Sequence, residues 1–322
     1  MIGTLPSDER VAFVFPGQGS QYVGMGKSLY DASDAARRVF DQANQILGFS
    51  LTRLMFEGPG DELEDTINAQ PAVLTFSIAC LAALREKCAE LGKAFSPVFV
   101  AGHSLGEYSA LVAAGVLDFG DALLLVRERG RLMKESGDSR PGGMAAVVGL
   151  SRDQLQGICD EAANHGVLAL ANSNAPDQMV ISGELAALDR AVALARDAGA
   201  KAVVPLRISI ASHSPLMQQA ALQLAEVIAA LNLRDPVTPM VASIQGRILT
   251  SADEIRQHLV EQLERPVEWT HSVAEMIERG VGTFVEIGPG RVLSRLISRI
   301  SRDVRSLTLG DAEIANIGNG DA

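Results

Sequence analysis

An apolar run, Val98-Phe99-Val100-Ala101, leads without a break into Gly102-His103-Ser104-Leu105-Gly106 and then into a helix-forming stretch from Glu107 to Ala114. Strand, Gly-x-Ser-x-Gly and helix in that order are the sequence form of a nucleophile elbow, a turn so tight that it needs a glycine on either side of the serine. Such a turn lifts the Ser104 hydroxyl above the strand end. It also aims the Leu105 amide, at the start of a helix, toward any oxyanion formed beside it. The feature therefore predicts an α/β sheet and acyl chemistry through a serine ester.

The rest of the chain is consistent with that frame. Val11–Phe15 is an apolar run stopped by Pro16-Gly17 and reads as a buried strand. Helical patterns follow at 27–47, from Pro71 to Leu91 with Gly92 just past the end, at 107–115 and at 120–135. Alternating strands and helices predict a parallel sheet covered on both faces. Between 142 and 209 the pattern changes to strand (144–150), helix (152–164), strand (167–171), strand (178–182), helix (185–198) and strand (202–208). That βαββαβ order is the split βαβ, ferredoxin-like unit, with Asn172–Pro176 expected as its central turn. The chain thus reads as one large domain, 1–141 with 210–309, interrupted by a small domain at 142–209. A strand-like run at Met240–Ser243, a helix from 253, a strand at Phe284–Ile287 and a helix from Gly290 complete the large domain. Residues 310–322 carry no pattern and are expected as a flexible tail.

Composition removes several function classes. The 322 residues carry a net charge of −11, so no global basic field would gather nucleic acid. No basic-then-apolar leader is present at Met1–Arg10, and no uninterrupted apolar run is long enough for a membrane span. Cys80, Cys88 and Cys159 show no paired spacing and read as reduced, buried thiols of a cytoplasmic protein. No histidine or cysteine group has metal-ligand spacing, so no metal is expected.

A serine nucleophile needs a base, and five histidines are available. His213, in Ile210-Ala211-Ser212-His213, lies where the chain returns from the small domain to the large one, the kind of junction at which clefts form. It reads equally as a surface-loop histidine or as the base. His103 should diverge from its neighbour Ser104, His165 caps a helix, and His258 and His271 are expected to be solvated. Phe15-Pro16-Gly17-Gln18-Gly19-Ser20-Gln21 follows the first strand. It suits a phosphate cradle, a second oxyanion donor at the Gln18 amide, or a plain turn. Arg129 shares a helix face with Ala122, Leu125, Val126 and Met133, which turns a guanidinium inward. A buried arginine needs an anion, either an internal carboxylate or that of a substrate.

Seven landmarks occur in order: Phe15–Gln21, Gln70-Pro71-Ala72, Gly102–Ala110, Arg129-Gly130, Ala171–Asn174, Ser212-His213 and Glu286–Gly290. With them the chain, from about Val11 to about Ile300, resembles the malonyl-CoA:acyl carrier protein transacylases of fatty acid synthesis and the related polyketide synthase acyltransferase domains. The resemblance implies an α/β-hydrolase-like large domain with a ferredoxin-like insertion. It implies Ser104 as nucleophile, His213 as base without an acidic third member, and the main-chain carbonyl of Gln262 as the group that orients His213. It further implies an oxyanion hole from the amides of Gln18 and Leu105, and Arg129 as receptor of the malonyl carboxylate. The implied partners are malonyl-CoA as substrate and acyl carrier protein as acceptor, with no further cofactor, for a monomer that binds neither nucleic acid nor membrane. A stand-alone polyketide acyltransferase with malonyl or a related extender, or a serine thioester hydrolase, are the alternatives. Because such carrier proteins are acidic, Arg291, Arg295 and Arg299, on one face of the last helix, with Arg302 nearby, are a candidate docking face.

Overall fold

The computed structural model describes residues 9–93, 95–206, 208–315 and 317, and of Ala315 only the backbone. Ten short strands are present: β1 (Val11–Phe15), β2 (Phe99–Gly102), β3 (Gly142–Val148), β4 (Leu168–Ala175), β5 (Gln178–Glu184), β6 (Ala202–Pro205), β7 (Met240–Val241), β8 (Ile248–Leu249), β9 (Thr283–Ile287) and β10 (Arg305–Leu309). They form two sheets. The first has the order β10-β9-β1-β2-β7-β8, parallel throughout except for β8. Its central strands β1, β2 and β9 are buried at every position, because helices cover both faces. The second, β4-β5-β3-β6, is antiparallel and lies within residues 142–205. Helices Arg152–Ala162 and Leu185–Asp197 pack on one side of it around Leu155, Cys159, Leu188 and Ala191. The chain is therefore mixed α/β, with a parallel sheet and a separate antiparallel one.

Local differences from the sequence reading have physical causes. The long apolar helix runs Thr66–Glu90, so Pro71 sits inside it rather than at its start. Asp65 provides the cap by accepting from the Ile67 amide at 3.1 Å. Pro71 cannot donate to the Ile67 carbonyl, and Arg127 Nη1 approaches that oxygen instead, at 3.5 Å. This helix also has the length and apolarity of a membrane span, contrary to expectation. Its apolar window is 83% buried by the fold, which makes it a core helix of the large domain. Asn172–Ala175 are strand, not turn, so β4 and β5 are joined by Pro176-Asp177 alone. The register of β4 shifts between Leu170 and Asn172 and again between Ser173 and Ala175. These bulges let a polar segment stay in the ladder while Asn172 and Asn174 face the cleft. The pattern at 27–47 is two helices, Lys27–Ala32 and Asp34–Leu47, divided at Ser33, whose hydroxyl caps the second.

The expected tail begins in ordered structure. Asp311–Ala315 is helical, Ile314 is buried, and Asp311 accepts from the Gly26 amide at 2.9 Å. Of the rest of that segment, 316 and 318–322 lie outside the described residues, as does most of Met1–Arg10, where no leader is expected.

The fold brings the loops after β1, β2 and β9 to the carboxyl edge of the parallel sheet, the usual ligand edge of such sheets. The cleft there is about 450 Å³. Gly17, Gln18, Ser104 and Arg129 line it beside the parallel sheet, Met144, Asn172 and Val180 from the antiparallel sheet, and Leu206 just past the end of β6.

Candidate active site

Ser104 sits at the end of β2 with φ of 51°, in the left-handed region that side chains avoid. The strain is held by packing on both sides. A Cβ on Gly102 would lie 2.0 Å from the Gly106 carbonyl carbon, and one on Gly106 would lie 2.0 Å from the Phe15 oxygen. Only glycine allows the turn to fold so closely and the following helix to pass so near β1.

His213 is the other non-glycine residue with positive φ among the described residues, at 56°. Its turn is closed by the Ser214 hydroxyl donating to the Ala211 carbonyl at 2.6 Å. The two strained residues meet, with Ser104 Oγ 2.8 Å from His213 Nε2. On the far side of the ring, Nδ1 lies 3.0 Å from the Gln262 carbonyl and 3.0 Å from the Arg265 carbonyl. Carbonyl oxygens only accept, so Nδ1 carries the proton and Nε2 presents its lone pair to the serine hydroxyl. Burial first, then the nearby charges of Arg129 and His103, hold the imidazole pKa down at about 3, so the ring is neutral near pH 7. No carboxylate bonds to Nδ1 among the described residues.

Arg129 is 1% exposed. Its Nη1 donates to Gln70 Oε1 at 2.8 Å, and Nη2 donates to Ser104 Oγ at 3.1 Å and to Gln262 Oε1 at 3.2 Å. Nε has no partner, and the guanidinium lies over the Tyr108 ring at 5.5 Å. Among the described residues Arg129 has no carboxylate partner. This rules out the internal salt bridge left open by the sequence. A buried cation held only by neutral acceptors, the hydroxyl of Ser104 among them, has the charge and donors to take an anion brought from outside.

Gln18 and Leu105 both line the cleft. Neither backbone amide has a hydrogen-bond partner among the described residues, which leaves both available to a ligand.

Sequence reasoning missed the support beneath these groups. His258, expected in solvent, is 3% exposed and bonds through Nε2 to both carboxylate oxygens of Glu107, at 2.8 and 3.0 Å. Glu107 also accepts from the Ser243 amide at 2.7 Å and from Gln262 Nε2. Burial alone would raise its pKa, but His258 and the other donors outweigh that and hold it below the usual carboxylate range. Gln262 Nε2 donates as well to the Ser104 carbonyl at 3.0 Å. The available signal was a glutamate in the first turn of an otherwise apolar helix. His103 turns away from Ser104, as read from the sequence, and bonds Asn174 Oδ1 of β4 at 2.8 Å, joining the two sheets across the cleft.

The sequence model of the acyl transferase domain matches residues 12–315. A malonyl CoA-acyl carrier protein transacylase of Bacillus subtilis is 45% identical over 305 residues, 94% of each chain. One from Escherichia coli is 44% identical over 289 residues, 90% of this chain and 92% of the relative. Among solved structures, a malonyl-transacylase in complex with a type II polyketide synthase acyl-carrier protein superposes with a TM-score of 0.91 at 40% identity. It covers 97% of this chain and all of the other. The malonyl CoA-acyl carrier protein transacylase of Coxiella burnetii gives 0.91 at 39% identity, covering 96% of each.

Proposed function

The chain belongs to the acyl transferase family, and from that premise we propose that it moves a malonyl group from malonyl-CoA to the phosphopantetheine thiol of an acyl carrier protein. One observation carries the reading: a buried arginine without a carboxylate partner lies 3.1 Å from a serine hydroxyl that is itself 2.8 Å from a neutral histidine. Relatives of 44–45% identity named malonyl CoA-acyl carrier protein transacylase support it.

In the first half-reaction Ser104 Oγ attacks the thioester carbonyl while its proton passes to His213 Nε2. The amides of Gln18 and Leu105 hold the oxyanion. The C–S bond breaks, and the imidazolium returns the proton to the departing coenzyme A sulfur. A malonyl ester remains on Ser104, with its carboxylate on Arg129. The carrier thiol then gives its proton to His213, attacks the ester carbonyl and leaves as the malonyl thioester, and the proton returns to Ser104. The carbonyls of Gln262 and Arg265 take the place of an acidic triad member by holding the Nδ1 proton. A serine hydrolase reading gives Arg129 no task. The enzyme works as a soluble cytoplasmic protein, a reading supported by its buried apolar helix and three free, buried cysteines.

The acidic carrier protein would meet the helix Val292–Ile300, whose Val292, Leu293 and Leu296 form one rim of the cleft. The structure narrows the expected face. Arg291 pairs with Glu313 at 2.9 Å and Arg299 with Asp177 at 2.6 Å, whereas Arg295 and Arg302 have no carboxylate partner among the described residues. Charge reversal at both free arginines should raise KM for the carrier protein at low salt and leave malonyl-serine formation unchanged. Unchanged carrier KM would reject this face.

The reaction itself is tested by intact-protein mass spectrometry after mixing with malonyl-CoA or acetyl-CoA, beside Ser104→Ala. A malonyl adduct absent from the variant supports the reading. Coenzyme A release without an adduct would replace it with a hydrolase.

A further inference from the structure

Arg129 anchors a one-way hydrogen-bond relay that ends at the oxyanion loop. A guanidinium has donors only, so Gln70 must turn its Oε1 toward Nη1, at 2.8 Å. That fixes the amide, and Gln70 Nε2 then faces Thr66 Oγ1 at 2.9 Å. With its oxygen accepting, the Thr66 hydroxyl donates onward to Gln18 Oε1 at 2.8 Å. The cation sets the direction of the first two links, and the Gln18 side-chain carbonyl oxygen, which can only accept, sets the third. Thr66 is 5% exposed and Gln70 fully buried, so water does not compete for the bonds that Gln70 makes, while Gln18 is half-buried on the cleft wall. Among the described residues the one other hydrogen bond of the Gln70 and Thr66 side chains runs from Gln70 Nε2 to Met133 Sδ at 3.3 Å.

The end of the relay matters because Gln18 lies between two glycines. Gly19 is left-handed, with φ of 95°, and its Cβ position is open, so local sterics do little to fix the peptide planes there. Gly17 is pressed against the His103 carbonyl, which a Cβ would approach to 2.5 Å. The loop closes on itself through the Gly19 amide donating to Gln21 Oε1 at 2.7 Å and the Ser20 hydroxyl donating to the Gly17 carbonyl at 2.6 Å, and the Thr66 bond is what ties Gln18 between them to the neighbouring helix. We infer that Thr66 and Gln70 are positioning residues that tie the Gln18 amide to Arg129, so that placement of the carboxylate receptor also sets the oxyanion hole. The inference rests on the proposed transfer reaction. A second arm leaves Arg129 through Gln262, whose own carbonyl orients His213. The guanidinium therefore stands between the two devices that act on the reacting carbonyl, and a bound carboxylate is read in turnover as well as in affinity.

The test compares wild type, Thr66→Val, Thr66→Ser and Arg129→Ala with and without Thr66→Val. Failure of wild type to form a malonyl adduct would reject the transfer reaction rather than the relay. With the adduct established, Thr66→Val removes the hydroxyl at nearly constant shape. Loss of a whole oxyanion donor costs roughly 100-fold or more in kcat, and misplacing one should cost about 10-fold. KM for malonyl-CoA should stay within about twofold, and Thr66→Ser should restore kcat to within about twofold of wild type. With Arg129→Ala and acetyl-CoA as donor, adding Thr66→Val should cost less than about twofold, because the anchor is already gone. Circular dichroism reads folding, and Thr66→Ala replaces the valine variant if that one does not fold. The relay is overturned if Thr66→Val raises KM alone or changes nothing. It is likewise overturned if the serine variant is as slow as the valine one, or if the valine substitution costs the same without Arg129.

Discussion

Replacing Arg129 with alanine should change which acyl group the enzyme uses more than how well it folds. The guanidinium is 1% exposed and has three bonds, all to neutral acceptors, so a substrate carboxylate would be its first counter-ion. Hydrogen bonds to a charged partner contribute about 1.5–3 kcal/mol each. Two of them, lost together, amount to roughly 10²- to 10⁴-fold in kcat/KM for malonyl-CoA. Acetyl-CoA has no carboxylate to lose. It should suffer only from the loosened Gln70 and Gln262 arms, by about 10-fold at most on the scale of a misplaced oxyanion donor. Removing a buried cation that has no counter-ion should leave the unfolding midpoint close to wild type, because its desolvation cost disappears with it. The assay is single-turnover release of coenzyme A, followed for both donors against Ser104→Ala as blank. Equal loss of malonyl and acetyl transfer would refute the reasoning, since Arg129 would then be part of the scaffold and not a receptor.

Four further outcomes follow from the same geometry. Gly106→Ala places a Cβ 2.0 Å from the Phe15 oxygen, and the elbow should not form; lost acylation together with a lowered melting temperature checks this, and a stable, active variant would contradict it. With the His213 pKa pushed down to about 3, kcat/KM for malonyl-CoA should be flat from about pH 5 to 8, and an acid limb centred near the ordinary 6.5 would oppose it. The same shift lowers stability in acid: below pH 6.5 the unfolded chain takes up a proton that the folded one refuses until about 3, so stability falls as pH drops through that window. Glu107→Ala strands His258, the Ser243 amide and Gln262 in a buried site, and should cost about 3–5 kcal/mol in denaturant unfolding; a loss under about 1 kcal/mol would show that the pair is not structural.

How far the site could be read from sequence depended on which physical constraint each residue carries. The elbow was legible because its constraint is steric. Two glycines must flank Ser104 where backbones come within 2.0 Å of a would-be Cβ, and no other residue type satisfies that. Arg129 was legible as an inward cation from helix spacing, but not as a receptor, because the absence of a carboxylate partner is a fact of packing. His213 could be read only as a residue at a domain junction. Its positive φ is shared with Ser104, 109 residues away, and only the folded chain brings the two strained turns face to face. Gln262 shows the limit most clearly. The group that holds the His213 proton is a main-chain carbonyl, which every residue has, so only family resemblance could point to the position. Yet the side chain is not free to vary. Its Oε1 is claimed by Arg129, and its Nε2 by Glu107 and the Ser104 carbonyl, so one glutamine joins the proposed receptor, nucleophile and base. A glutamate there would carry a second acceptor oxygen where the amide must donate to Glu107, and two carboxylates would then face each other in a buried site. Leucine would leave Glu107 and Arg129 each short of a partner. The residue type is therefore dictated by its side-chain bonds while its catalytic contribution comes through the backbone, and a pattern search keyed to side-chain chemistry has no means of connecting the two.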